Sequence, residues 1–183
     1  MNSTNYTLRL ATPEDAYAIW SVMDTCYQAM EHKEHFLCDD LDYVKDILSG
    51  QGFGVVACDF NEKIVGNLLV KYPGLTDENL GYDIFGDSCQ ECDIPLSTET
   101  LMQVLHMDSA SVLPTHRSHG LERQMIAYAE SKVDTSKYRD LLATVAPENT
   151  ASLKSLLRLG YRVITTKEKY GKLMRCIMMK ALY

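Results

Sequence analysis

The residues between His106 and Ala129 are those whose types and order suggest chemistry. His106–Val112 alternates polar with small or apolar side chains, the pattern of a half-buried strand. Pro114 ends that ladder because it has no N–H to donate. Thr115-His116-Arg117-Ser118-His119-Gly120 follows, a basic turn that contains glycine. Beyond it Leu121, Met125, Tyr128 and Ala129 recur at helical spacing. A strand, a basic turn and a helix start together make an anion site. The N–H groups of the first turn point at the ligand, and the helix dipole favours negative charge there. The chain as a whole is acidic, with 18 Lys+Arg against 25 Asp+Glu and a net charge of −7. Yet His116, Arg117, His119 and Arg123 gather at this one helix start. A local basic cluster in an acidic chain points to a phosphate-bearing ligand, because nucleic acid would call for a wide basic face. The same residues would also serve a plain strand–helix connection with a solvated basic turn. A nucleotide-binding module shares such a turn, but the run Gly-x-x-x-x-Gly-Lys-(Ser/Thr) is not in the sequence.

The rest of the chain has to position that stretch. Hydrophobic residues make up 46% and charged residues 23%, both near globular averages, so disorder is not expected. A length of 183 residues suits one domain, 1–183, with a substantial core. No apolar run approaches the ~20 residues of a membrane span. The first residues, Met1 to Thr7, show neither a basic nor an apolar leader region, so no signal peptide is expected. A cytoplasmic location follows as an expectation, with Cys26, Cys38, Cys58, Cys89, Cys92 and Cys176 kept as thiols.

Taken in order, Tyr6–Leu10 alternates as a first strand. Thr12 is a suitable N-cap, Pro13 takes the first helical position, and Glu14 and Asp15 suit the positive helix end. That helix should run to about Met30 with Ala16, Ile19, Trp20, Met23 and Tyr27 on one stripe. Leu41–Leu48 reads as a second short helix closed by Ser49-Gly50. Gly52–Phe60 and Lys63–Tyr72 are apolar-rich strands, and Asn61-Glu62 between them predicts an antiparallel hairpin without the usual glycine. Pro73–Thr100 is irregular, as functional or mobile loops are. Then come a strand at Leu105–Val112, a helix at Gly120–Val133, and a strand at Leu141–Val145. A helix opens at Pro147-Glu148-Asn149 with Leu153, Leu156 and Leu157 as its stripe. Gly160 should cap it, with Tyr161 folding back on the last turn. Arg162–Lys167 and Leu173–Lys180 are the last strands, divided by Tyr170-Gly171. A hairpin followed by βαβα units predicts an α/β (α+β) domain, a mixed central sheet with helices on both faces.

This order, over nearly the whole chain, resembles the GNAT superfamily of acetyl-CoA-dependent N-acetyltransferases. The family signature Val-x-Pro-x-x-Arg-x-x-Gly-x-(Gly/Ala) is similar to Val112-Leu113-Pro114-Thr115-His116-Arg117-Ser118-His119-Gly120-Leu121-Glu122. A second signature, Asn opening a helix that ends in Gly-aromatic, is matched by Asn149 and Gly160-Tyr161. The resemblance implies a single GNAT-like domain that binds acetyl-CoA or coenzyme A as co-substrate and needs no metal. It implies that the amides of Arg117, Ser118, His119, Gly120, Leu121 and Glu122 hold the pyrophosphate, and that those near Val112 meet the pantetheine arm. Asn149 would approach from the next helix, with Ser152 one turn on. Glu122 departs from the pattern, and its carboxylate is expected to point away from the phosphates. Leu156 stands where the family often has a general-acid Tyr. Another Tyr such as Tyr170 would have to serve, or none, since a thiol with pKa near ~8.5 leaves easily.

The implied reaction acetylates a primary amine, of a small molecule or a peptide, by direct attack with general-base help. His106 and Asp108 share one strand face with Ala110 and Val112. The family often places its base at one of these positions, so Asp108 is the first candidate and His106 the second. Both would equally serve as satisfied polar groups beside a sheet, bonded to each other. Tyr82 and Asp83 suit a cationic acceptor, and also suit an exposed strand tip. His32, His35, Cys38, Asp39 and Asp40 fit no standard zinc spacing and read as a solvated loop bordering the cleft. Cys89-Gln-Glu-Cys92 is a single CxxC without a second pair. Met174, Met178 and Met179 read as core filling. The expected partner is the amine acceptor, with neither nucleic acid nor membrane, and a homodimer is an allowed assembly. The alternative is a non-catalytic acyl-CoA-binding or sensor domain, to which Glu122 and Leu156 point.

Overall fold

The computed structural model describes residues 6–73 and 98–182. Among these the strands are β1 (Thr7–Leu10), β2 (Gly52–Cys58), β3 (Ile64–Lys71), β4 (Val104–Val112), β5 (Asp140–Val145), β6 (Arg162–Lys169) and β7 (Leu173–Ala181). The helices are α1 (Ala16–Gln28), α2 (Leu41–Asp46), α3 (Thr98–Leu101), α4 (Leu121–Glu130) and α5 (Thr150–Arg158). The strands form one mixed sheet in the order β1-β2-β3-β4-β5-β7-β6. Two compact units divide these residues, one from 6–70 and 108–132, the other from 71–73, 98–107 and 133–182. No described helix is long and apolar enough to cross a membrane.

In the first unit β1 runs antiparallel to β2, pairing Thr7 with Cys58 and Leu10 with Val55. The Thr12-Pro13 start holds, but through a 3-10 turn at Pro13–Asp15 before α1 begins. Thr12 N–H donates to the Asp15 carboxylate at 2.8 Å, and Arg9 forks onto the same group at 2.6 and 2.9 Å. α1 buries Ala16, Ile19 and Met23 as its periodicity predicts, and also Val22 and Cys26. α2 has only six residues, too few to hold as a helix alone. It is fixed by its cap, Asp40 accepting from Tyr43 N at 2.8 Å, and by Val44 and the following Ile47, which have no exposure. These two pack with Ile19, Met23, Val56 and Leu69.

The β2–β3 connection is longer than the expected two-residue turn. Asp59 N–H donates to Lys63 O and Glu62 N–H to Asp59 O, and Glu62 takes the left-handed φ of 63°. This is a turn with a bulge residue, in which Glu62 stands where glycine is usual. The Asp59 carboxylate compensates by accepting from the N–H groups of Asn61 and Lys63.

In the second unit Val104–Met107 of β4 runs parallel to β5, His106 opposite Leu142. β7 is antiparallel to both β5 and β6. Val104, Leu142, Ile177 and Met179 form its core cluster. α5 ends as its sequence predicts: Gly160 N–H donates to Leu157 O and Tyr161 N–H to Leu156 O, with Gly160 at φ 90°. Two apolar assignments are corrected. Leu156 is buried at 2% exposure, but Leu157 is 50% exposed, because the stripe on this short helix is narrower than three leucines. Met178 and Met179 fill the core, whereas Met174 faces outward on β7.

Candidate active site

Two features of the first unit make the candidate site: the turn that leads into α4, and the last five residues of β4. The strand leaves the sheet at Leu113, whose N–H still reaches Val65 O at 2.9 Å. Pro114–His116 forms a 3-10 turn, and then two residues take left-handed backbone, Ser118 at φ 66° and Gly120 at φ 70°. Alternating left-handed residues just before a helix turn successive N–H groups toward one side, an anion-binding concavity. Arg117 Nε donates to Val112 O at 3.2 Å, so part of the guanidinium closes the turn on the strand end. Burial pushes the Cys26 thiol up, and the neighbouring Arg117 guanidinium opposes that push. His119 Nδ1 meets Arg117 O at 2.8 Å and His116 O at 3.2 Å. Both partners are acceptors, so Nδ1 carries the proton. Gln124 Nε2 donates to His119 O at 3.0 Å and ties the turn to α4.

Sequence reasoning missed Tyr6 here. Its hydroxyl is 3.1 Å from His116 Nδ1, and its ring stands edge-on to His116 and His119. An isolated tyrosine before a strand carries no sequence signal for such a contact. Leu121 is 2% exposed and belongs to the core, so only its backbone can serve a ligand. Glu122 is half-buried in the first turn of α4.

On β4 burial alternates from Asp108 onward: Asp108, Ala110 and Val112 are half-buried, while Ser109 and Ser111 are buried. Asp108, Ala110 and Val112 thus share a face as the periodicity predicts. Tyr43 OH donates to Asp108 Oδ2 at 2.7 Å. Ser109 Oγ lies 3.3 Å from Asp108 Oδ2 and 3.3 Å from Asp39 Oδ2. Two carboxylates, a phenol and a hydroxyl therefore converge at one strand position. The sequence placed Asp39 and Asp40 in a solvated loop, so neither the Asp40 cap nor the Tyr43 and Asp39 contacts across 65 and 70 residues were legible.

In the second unit His106 is buried at 3% exposure on β4. Asn149 Oδ1 accepts from Ser152 N at 3.2 Å and so caps α5. Tyr170 OH is 3.1 Å from Thr144 Oγ1, with the Arg175 guanidinium 5.8 Å from its ring centre. Leu156, at the place of the family's Tyr, is core. Tyr82, Asp83, Cys89 and Cys92 lie outside the described residues. His32 pairs with Glu34 at 3.2 Å, both well exposed. Among the described residues no group of three or more His, Cys, Asp or Glu is arranged to hold a metal.

The sequence matches no family model and no curated protein. Solved structures do match. Salmonella typhimurium yncA, solved with its cofactor acetyl-CoA, is 17% identical with a TM-score of 0.70, covering 98% of this chain and 95% of its own. A GCN5-related N-acetyltransferase from Kribbella flavida is 18% identical with a TM-score of 0.67, covering 96% and 97%. The ribosomal-protein-S18-alanine N-acetyltransferase of Escherichia coli is 12% identical with a TM-score of 0.68, covering 97% and 94%. This chain has the fold of the GCN5-related N-acetyltransferases.

Proposed function

We propose that the chain is a single-domain N-acetyltransferase that moves the acetyl group of acetyl-CoA to a primary amine of a small molecule or peptide. The observation that carries this reading is the turn with left-handed Ser118 and Gly120 at the start of α4. Its backbone suits a pyrophosphate, and the fold is that of yncA, which was solved with acetyl-CoA. In this reading the N–H groups of Arg117 through Glu122 bind the phosphates, the strand end at Val112 meets the pantetheine arm, and Asn149 and Ser152 approach from α5. The thioester supplies the acetyl group: a C–N bond forms, the C–S bond breaks, and the thiol leaves.

Asp108 is the base in this reading. It is half-buried and hydrogen-bonded on the same strand face as Val112. A carboxylate there orients a cationic amine and takes its proton, directly or through a water, which frees the lone pair that then attacks the thioester carbonyl. His106 is the second candidate; its burial leaves it less suited to meet an amine from solvent.

A thermal-shift titration with acetyl-CoA, coenzyme A and ATP tests the binding half. A ligand at a hundredfold excess over Kd stabilises by about 2.7 kcal/mol. A shift with ATP and none with acetyl-CoA would replace this reading by nucleotide binding. A panel of amines assayed for thiol release tests the catalytic half. A clear acetyl-CoA shift without turnover on any amine would favour the acyl-CoA sensor, consistent with Leu156 being core.

A further inference from the structure

We propose that Tyr43 is a positioning residue: its hydroxyl fixes the carboxylate of Asp108 in the orientation from which it accepts the amine proton. The inference rests on the reading of Asp108 as base. The Tyr43 OH–Asp108 Oδ2 distance of 2.7 Å is that of a charge-assisted hydrogen bond. Ser109 Oγ makes a longer contact, 3.3 Å, to the same Oδ2. The phenol is thus the shorter of these two contacts to that oxygen, and it defines both the place and the rotation of the carboxylate.

The phenol is itself held. Tyr43 lies in the first turn of α2, and its own N–H is the one that Asp40 caps at 2.8 Å. The next residue, Val44, has no exposure, and neither has Ile47. The cap fixes the backbone of Tyr43 and the two apolar anchors fix the helix against the core. Only two side-chain torsions then separate the phenol from a rigid frame, so little freedom is lost in holding the bond.

A tether between α2 and β4 would not need this chemistry. An apolar pair would link a helix to a half-buried strand position without desolvating a charge. Instead the strand carries a carboxylate, and Asp39 brings a second one to the same Ser109 hydroxyl. That hydroxyl has one proton and donates to one of the two acids at a time. The Tyr43 hydroxyl is closer to Asp108 Oδ2 than the Ser109 hydroxyl is, and removing it loosens the carboxylate from this orientation. A misplaced reacting group loses rate even when substrates still bind.

The test uses the full chain with Tyr43→Phe, Asp108→Asn and the double variant. Turnover of acetyl-CoA is followed with an alkylamine, a diamine and a short peptide with a free N-terminus, and by acceptor-free hydrolysis, and the fastest reaction is used. Tyr43→Phe is expected to lower kcat by about tenfold or more while KM for acetyl-CoA and its thermal shift stay unchanged. In the Asp108→Asn background the same substitution should change kcat by less than about twofold, because the group it positions is already disabled. A Tyr43→Phe enzyme with full kcat and only a lower Tm overturns the positioning role. So does an undiminished Tyr43 effect in the Asp108→Asn background. If Asp108→Asn leaves kcat unchanged, the base reading fails and the positioning role falls with it. If Asp108→Asn is slow and Tyr43→Phe is not, only the positioning role fails.

Discussion

Gly120 separates backbone from charge at the turn. Its φ is 70°, and an added Cβ would meet no heavy atom closer than Arg123 Nη2 at 3.7 Å. Space is therefore available, and the cost of a side chain is conformational. Gly120→Ala should lose roughly 1–2 kcal/mol of stability for the left-handed backbone and keep a measurable thermal shift with acetyl-CoA. Aspartate tolerates left-handed backbone better but puts a negative charge at the anion site. Gly120→Asp should thus fold at least as well as Gly120→Ala and lose the acetyl-CoA shift, a contrast that a melting series with and without ligand reads directly. Glu122→Ala tests the neighbouring acid. With its carboxylate turned from the phosphates and its backbone N–H kept, the substitution should leave coenzyme affinity within about twofold by calorimetry. A marked tightening would place the carboxylate beside the phosphates. The sequence made Gly120, Arg117 and Asp108 visible because each belongs to a local pattern. Tyr6 and Tyr43 act across the fold, 110 and 65 residues from their partners, and no local pattern records such a pairing.

At the scale of elements, α5 depends on both of its ends. Asn149 caps one through Ser152 N, and Gly160 closes the other at φ 90°. Asn149→Ala should cost about 1 kcal/mol in urea unfolding through loss of the cap. Asn149→Asp keeps an acceptor oxygen and should hold stability within a few tenths of a kcal/mol. If the Asn149 amide also meets the coenzyme, the aspartate variant should bind acetyl-CoA more weakly while unfolding normally. Equal binding in that variant would reduce Asn149 to a cap. Elements of this kind were legible because their ends carry the signal: Asn149 and Gly160 both do what their residue types predict. The turn at Asp59–Lys63 was not, because an aspartate side chain supplied the hydrogen bonds that let Glu62 stand in for glycine. Leu157 was misplaced for a related reason. The apolar spacing of a short helix fixes its buried face only to within one residue, and here Leu156 takes the core while Leu157 takes the surface.

For the whole molecule, two carboxylates make opposite contributions to the pH dependence of stability. Asp15 lies in the first unit and accepts a fork from Arg9, which holds its carboxyl below the usual range. Asp140 opens β5 in the second, where burial pushes its carboxyl up against the opposing pull of Arg139 and Arg162. An unfolded aspartate titrates near ~3.9. The folded form of Asp15 ionises below that value, so its stabilisation is present above ~3.9 and is lost as pH falls through the folded value. Asp140 behaves in reverse. Its folded form keeps the proton to higher pH, so stability declines as pH rises from ~3.9 to the folded value, and the penalty then stays constant. Asp15→Asn should therefore destabilise at pH 7, by about 1 kcal/mol because the Arg9 side chain is 45% exposed, and the difference from the parent should vanish in acid. Asp140→Asn should stabilise at pH 7, and that gain should also vanish in acid. Urea unfolding of the parent and both variants across the acid range measures both differences. Curves that converge at low pH from opposite sides confirm the two signs. An Asp140→Asn variant less stable than the parent at pH 7 would show that the carboxylate makes contacts that outweigh its desolvation.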